Sequence, residues 1–173
     1  MARSILGFIL LFVVLVTAQV IIFNHLFLFS VALPLVFIYF IIKLPVTLGL
    51  NWTITLSFLL GLTIDIFSDT QGMNALACTI FATLKKPVLR LYFPREEDLT
   101  DPEPSIKSLG LAVFMKYLIS MTVIYCVLYF TIESFSFFNS IRLLSRVVGS
   151  SVLTFSLILG IDCLSIRRNA KRL

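Results

Sequence analysis

Few residues in this chain have the types and spacing that enzyme chemistry requires. The single histidine, His25, has no second histidine with which to bind zinc or to serve as the base of a serine site. Gly149-Ser150-Ser151 faintly resembles a serine motif of intramembrane proteases but lacks that base, and small residues in an apolar run also allow close helix packing. Asp65 and Asp69 share one end of one apolar run, whereas intramembrane aspartyl chemistry needs two facing helices. The sequence therefore predicts a non-enzymatic protein without a metal site or a cofactor.

The more informative polar residues lie near the ends of apolar runs. Asp65 follows Gly61 by four residues, so both lie on one face of a helix. Because glycine lets another element approach, Asp65 has three open interpretations: a buried partner for a cation or a backbone N–H, a hydrated helix end, or a substrate contact. Arg146 lies one turn deeper than Arg142, and an unpaired arginine there costs up to about 3 kcal/mol. We expect Arg146 to pair with Asp65 or with Glu133, and the Asp65–Arg146 contact is the specific hypothesis.

Two further features lie in the last apolar run. We expect Asp162, near the end of that run, to meet water or the arginines Arg167 and Arg168. Ser156 and Gly160 form a pair of small residues four apart, which is typical of close helix contacts in membranes. We expect that contact to lie within the monomer rather than between chains.

Composition makes lipid the solvent for much of this chain. Of its 173 residues, 59% are apolar and 13% are charged, and the mean hydropathy is +1.04. Soluble domains average about 45–50% apolar and about 25% charged residues. The net charge of +5 would suit nucleic acid in a soluble protein, but here the cations flank apolar runs, so we expect a lipid bilayer and no nucleic acid as the partner.

Six apolar runs are candidates for transmembrane helices, which need about 20 residues, and the fourth is the shortest of them. The second run contains Pro34, where we expect a kink. The fourth run either stops before Pro87 or extends through it to Tyr92. Val16-Thr17-Ala18 resembles a signal-peptide cleavage site, but apolar residues continue to Phe23, which favours an uncleaved span. We predict an all-α, polytopic fold with a single membrane domain over 1–173, with spans at about 5–23, 26–42, 50–67, 73–84, 108–132 and 143–164, a cytoplasmic loop at 85–107 and a basic cytoplasmic tail at 165–173.

The distribution of lysine and arginine predicts the orientation of these spans. With six spans, eleven of these cations fall on one side of the membrane, and only Arg142 and Arg146 fall on the other. Lys116 lies inside the fifth run, near its start. Because cytoplasmic loops carry the excess of cations, both termini are predicted to be cytoplasmic.

The third run and the turn after it carry a family pattern. They read Gly61-Leu62-Thr63-Ile64-Asp65-Ile66-Phe67, followed by Gly72-Met73-Asn74-Ala75. This G-L-x-x-D-x-F…G-x-x-A pattern resembles the signature region of the rod shape-determining protein MreD family. Gln19, the Leu-Pro-Leu segment around Pro34, the chain length, the six runs and the basic tail are similar to Bacteroidetes-type members, so the resemblance covers nearly the whole chain.

The resemblance implies a non-enzymatic scaffold subunit of the bacterial cell-elongation complex in the inner membrane, which maintains cell shape and positions peptidoglycan synthesis. The implied partners are an MreC-like single-span protein and, indirectly, MreB, RodA and a class B penicillin-binding transpeptidase. The implied fold is similar to the S-components of energy-coupling-factor transporters. Gly61, Asp65, Gly72 and Ala75 match the family pattern, and they would fix the hairpin between the third and fourth spans and keep a groove open for a partner helix. Arg146 is a further structural or partner-binding candidate.

A transport role is the alternative that the implied fold suggests. An S-component-like substrate-binding subunit would place a small-ligand pocket among Asp65, Asn74 and Arg146. It would show a polar cavity and a copurifying ligand. The few polar residues inside the runs favour the scaffold over the transporter.

Overall fold

The computed structural model describes residues 2–22, 33–70, 72–92, 104, 106–134 and 140–170. All regular secondary structure in these ranges is helical, which confirms the all-α class for the described part of the chain. The helices are α1 (Ala2–Ile21), α2 (Ile38–Lys43), α3 (Leu50–Ser68), α4 (Met73–Tyr92), α5 (Ile106–Leu109), α6 (Leu111–Glu133) and α7 (Ser140–Ala170).

Among the described residues, three helical segments are long and apolar enough to cross a membrane: Leu50–Ser68, Leu111–Glu133 and Leu143–Leu164. A shorter apolar helix covers Leu6–Ile21. Large apolar side chains stand exposed on these helices, such as Ile66 at 70%. Large apolar side chains exposed on several long helices are stable in lipid rather than in water, so the chain is a helical membrane protein.

The second predicted run, 26–42, is not one kinked helix, because residues 33–37 are not helical; its described part, 33–42, is called the broken run below. Residues 26–32 lie outside the described residues, Leu33–Leu35 have no regular structure, and the helix begins only at Ile38. Pro34 lacks an N–H and disfavours a helical conformation in the residue before it, which explains the break. This segment is nevertheless the centre of the molecule, because every residue from Leu35 to Ile42 is at most 3% exposed.

Helix α4 continues through Pro87 to Tyr92, so the first eight residues of the predicted loop 85–107 are helical. Pro87 is exposed, whereas Lys85 and Leu89 are buried on the opposite side of the helix. Packing of α4 against α3 and α6 therefore outweighs the hydrogen bond that the proline removes. The predicted tail 165–173 also begins as helix, because α7 extends to Ala170.

An aromatic cluster joins the broken run to α4 and α6. The ring of Tyr125 makes T-shaped contacts with the rings of Phe37 and Phe81, with centroid distances of 5.7 Å and 5.2 Å. It also stacks with the ring of Tyr129, at 6.4 Å between centroids. These contacts fix the faces of α4 and α6 that support the polar groups described next.

Candidate functional site

Asp65 caps the next helix along the chain. It lies in the last turn of α3, is 3% exposed, and its Oδ1 accepts hydrogen bonds from the backbone N–H of Asn74 at 3.1 Å and from the Asn74 amide at 2.9 Å. Its Oδ2 accepts the N–H of Ala75 at 2.8 Å, and the hydroxyl of Thr70 also donates to Oδ1. The first N–H groups of a helix have no partner within it, and the positive end of the helix dipole favours a carboxylate there. Of the interpretations left open for Asp65, the structure shows the backbone N–H partner.

Gly61 lets α3 and α4 touch along their backbones. A Cβ atom at Gly61 would lie 2.5 Å from the carbonyl oxygen of Asn74 and 2.6 Å from Cα of Ala75. Both neighbours are backbone atoms of a packed helix, so they cannot move aside cheaply. Gly61 therefore sets the distance at which Asp65, one turn later, reaches the start of α4.

The turn between α3 and α4 needs two left-handed residues. Asp69 has φ +53°, and its N–H and that of Thr70 both donate to the carbonyl of Asp65. Gly72 has φ +75°, and its N–H donates to the carbonyl of Thr70 at 2.9 Å. A Cβ at Gly72 would meet nothing, so its left-handed backbone, and not lack of space, favours glycine there. The structure thus brings Gly61, Asp65, Gly72 and Ala75 together, and we name them, with Thr70 and Asn74, the Asp65 cap.

The Asp65 cap extends to α6 through one tyrosine. The hydroxyl of Tyr125 donates to Oδ1 of Asn74 at 3.3 Å and lies 3.7 Å from Sγ of Cys78. The side chains of Tyr125, Asn74 and Cys78 are all buried. The network is therefore a closed set of internal bonds that ties the hairpin to the centre of the molecule.

Arg146 pairs with Glu133, and the hypothesis of an Asp65–Arg146 contact is wrong. Nη2 of Arg146 lies 3.1 Å from Oε1 of Glu133, and the guanidinium lies 5.0 Å from the centre of the Phe130 ring. The physical reason is competition, because the N-terminus of α4 already occupies both oxygens of Asp65. Glu133 is the last residue of α6, Arg146 lies in the second turn of α7, and both side chains of the pair remain partly exposed. The side chain of Arg142 lies outside the described residues.

The expectation that Asp162 meets bulk water is wrong, because its side chain is wholly buried. Its Oδ1 lies 2.7 Å from Nζ of Lys43 and accepts the hydroxyl of Tyr39 at 2.8 Å. The side chains of Arg167 and Arg168 lie outside the described residues. Tyr39 and Lys43 are one turn apart on α2, and this spacing was the signal in the sequence that could have predicted a shared buried partner.

The backbone of the broken run is held by side chains from two other helices. Gln19 of α1 donates from Nε2 to the carbonyl of Pro34 at 2.9 Å and accepts the N–H of Val36 at 3.0 Å. From α7, Ser150 accepts the N–H of Leu33 at 2.9 Å, and Thr154 accepts the N–H of Leu35 at 3.0 Å. Non-helical backbone in the interior of a membrane protein is tolerated only where protein groups satisfy it, and these three side chains satisfy four of its backbone groups.

The role of Ser150 follows from this contact. Its oxygen supports the backbone of the broken run, so the Gly149-Ser150-Ser151 segment has a structural use. The same face of α7 carries Ser150, Thr154 and Asp162 at intervals of four or eight residues. Thr154 was overlooked in the sequence because a lone threonine in an apolar run carries no signal.

Within the part of the chain that the structure describes, the pair Ser156 and Gly160 does not make the expected helix contact. Both residues are exposed, and a Cβ at Gly160 would have no atom within 4 Å. The polar residues Ser150 and Thr154 turn the opposite face of α7 toward the core, which explains why the small pair points outward.

Among the residues that the structure describes, no group of three His, Cys, Asp or Glu side chains is arranged to hold a metal ion. The polar clusters discussed above are the Asp65 cap, the Glu133–Arg146 pair, the Lys43–Asp162 pair and the supports of the broken run. Other polar contacts include that of the buried Lys85 ammonium with the carbonyl of Leu44. Comparison of the chain with protein-family models, with curated proteins and with solved structures finds no match.

Proposed function

We propose that this chain is a non-enzymatic membrane scaffold subunit of the bacterial cell-elongation complex. In this proposal it lies in the inner membrane with six spans and both termini in the cytoplasm. An MreC-like single-span protein is its direct partner, and MreB, RodA and a class B penicillin-binding transpeptidase are reached indirectly. The resemblance of the Gly61-to-Ala75 region to the MreD family suggests the complex.

One observation supports a scaffold above other roles: the polar groups at the family pattern are used by the chain itself. Both oxygens of Asp65 bond to the start of α4, and Asn74 bonds to Asp65 and to Tyr125. A site that binds a small molecule needs polar groups that converge on the ligand. Groups that bond to each other instead give a rigid hairpin, and a rigid hairpin is what the anchor of a partner protein requires.

The broken second run favours one alternative, an S-component-like subunit of a small-molecule transporter. Discontinuous helices often line the substrate sites of transporters, where unwound backbone groups contact the ligand. In this chain, however, the side chains of Gln19, Ser150 and Thr154 form hydrogen bonds with backbone groups of residues 33–36, so a ligand could not use these groups. The alternative is therefore weaker than the scaffold.

Copurification tests the proposal. A tagged copy extracted from its bacterial host in a gentle detergent should retain an MreC-like single-span protein. The variant Asp65→Asn should retain less of it, because the carboxylate that fixes the hairpin is lost. Asp69→Asn is the matched control, since it removes the same charge four residues later at an exposed position.

Depletion gives the second readout, because loss of such a scaffold should turn rod-shaped cells round. Unchanged cell width after depletion would reject the scaffold role. Recovery of an ATPase module or a bound small molecule, without a single-span partner, would instead support the transporter subunit.

A further inference from the structure

The two partners of the buried Lys43–Asp162 pair have unused hydrogen-bonding capacity. Oδ1 of Asp162 takes both Nζ of Lys43 and the hydroxyl of Tyr39. Oδ2 of the same carboxylate is buried and has no hydrogen-bond partner in the described part of the chain. An ammonium group has three N–H donors, and within the described ranges the only group within ion-pair distance of Nζ is Asp162.

The remaining N–H donors of Lys43 and Oδ2 of Asp162 lie beside each other. Nζ of Lys43 is 2.7 Å from Oδ1, and Oδ2 is the other oxygen of that same carboxylate. One small molecule can therefore reach both Nζ and Oδ2. A buried acceptor without a partner is unfavourable, and bridging molecules commonly satisfy such groups.

The charges around this position decide what kind of molecule it is. A cation on Oδ2 would lie close to the Lys43 ammonium, and an anion on Nζ would lie close to the Asp162 carboxylate. The ion pair is neutral as a whole, so it favours a neutral molecule that accepts a bond from Nζ and donates one to Oδ2. Water is the smallest molecule that does both, and buried water needs two to four polar partners.

The burial pattern also gives the route of entry. The side chain of Asp162 is fully buried, whereas that of Lys43 is 11% exposed. A molecule that reaches Oδ2 from outside therefore enters along the Lys43 side chain, which is the partner of the pair with exposed surface. A site with one partly open side exchanges with solvent, unlike a sealed cavity.

We propose that Lys43 and Asp162 bind one exchangeable water molecule that bridges Nζ to Oδ2. This water joins α2, the helical end of the broken run, to α7. The inference is independent of the scaffold role, because it rests on the ion pair alone.

Hydroxyl-radical footprinting by brief X-ray radiolysis tests the site. A bound water yields radicals in place, so buried side chains beside it are oxidised although bulk solvent does not reach them. Tyr39 is 2% exposed and shares Oδ1 with Lys43, so it should be oxidised several-fold faster than Tyr125. Tyr125 is the matched internal control, because it is 0% exposed and its hydroxyl bonds to Asn74.

The protein is purified in detergent and irradiated in water enriched in oxygen-18. Incorporation of the heavy isotope into Tyr39 within the mixing time shows that the water exchanges. Protection of Tyr39 equal to that of Tyr125 in the unmodified protein would overturn the proposal without any variant.

A double variant, Lys43→Met with Asp162→Leu, removes both partners of the water. Oxidation of Tyr39 should then fall to the level of Tyr125. Undiminished oxidation of Tyr39 in the folded double variant would assign the radicals to another source and would also overturn the proposal.

Discussion

Replacement of Asp65 by asparagine isolates the contribution of its charge to the hairpin. The amide keeps one oxygen for Asn74 and Thr70 but presents NH₂ where Oδ2 accepts the N–H of Ala75. One bond to a charged group is lost, and such a bond contributes about 1.5–3 kcal/mol. The interaction of the carboxylate with the helix dipole of α4 is lost as well. The free energy of unfolding should therefore fall by at least about 1.5–3 kcal/mol.

The chain contains its own reporters for this measurement. Cys78 and Cys126 are buried, and Cys163 is exposed. In a Cys163→Ser background, a thiol-reactive fluorophore should react only as the protein unfolds on heating. For a chain of this length, 1 kcal/mol corresponds to a change in Tm of about 2–4 °C, so Asp65→Asn should lower Tm by roughly 3–12 °C.

The control variant for this prediction is Asp69→Asn. Asp69 is exposed and has φ +53°, a conformation that asparagine tolerates well. It loses the same unit of charge without losing a bond to α4, so its Tm should match that of the unmodified protein. Equal Tm values for Asp65→Asn and Asp69→Asn would refute the argument that the Asp65 carboxylate holds α4 in place.

The same thermal assay checks three further predictions. Gly61→Ala should cost about 1–3 kcal/mol because the new Cβ would overlap backbone atoms of α4, whereas Gly160→Ala, which has open space, should leave Tm unchanged or raise it. Gln19→Leu should cost at least about 1–3 kcal/mol because it leaves two backbone groups of the broken run without partners. Thr17→Val, a polar-to-apolar change at an exposed position of α1, should be neutral. Lys43→Met or Asp162→Leu alone should each lower the free energy of unfolding by about 3–5 kcal/mol, because each leaves one buried charge unpaired. The double variant should be more stable than either single variant. Additive losses in the double variant would contradict the buried ion pair.

The spacing of Gly61 and Asp65 predicted a close approach and a shared helix face, and both are present. The partner of Asp65 was harder to predict, because it depends on how the turn at 69–72 returns the chain. Two left-handed residues in that turn place the first N–H groups of α4 at the carboxylate. Arg146 was an equally reasonable partner from the sequence, since charge alone does not distinguish an arginine from a helix N-terminus.

The broken run shows a second limit. Pro34 predicted a disturbance, but its extent depends on side chains that lie far away in the sequence. Gln19 is 15 residues from Pro34, and Ser150 and Thr154 are 117 and 119 residues from the groups they satisfy. Local propensity carries no information about such partners, and the same holds for Tyr39 and Asp162, which are 123 residues apart.

The positions of these partners bear on the choice between a scaffold and a transporter. The face of α7 that carries Ser150 and Thr154 meets a segment that is not helical and therefore cannot satisfy its own backbone. These polar side chains thus stabilise the fold, and among the described residues the buried side-chain oxygens without a hydrogen-bond partner belong to Tyr117, Glu133 and Asp162. Glu133 and Asp162 lie far apart along α7, since Glu133 pairs with Arg146 and Asp162 lies 16 residues, or about 24 Å of helix, beyond that arginine. Tyr117 lies 16 residues before Glu133 on α6, so it is also about 24 Å of helix from the Glu133–Arg146 pair. A transporter would need its free polar groups near the middle of that length, so the arrangement favours a rigid scaffold.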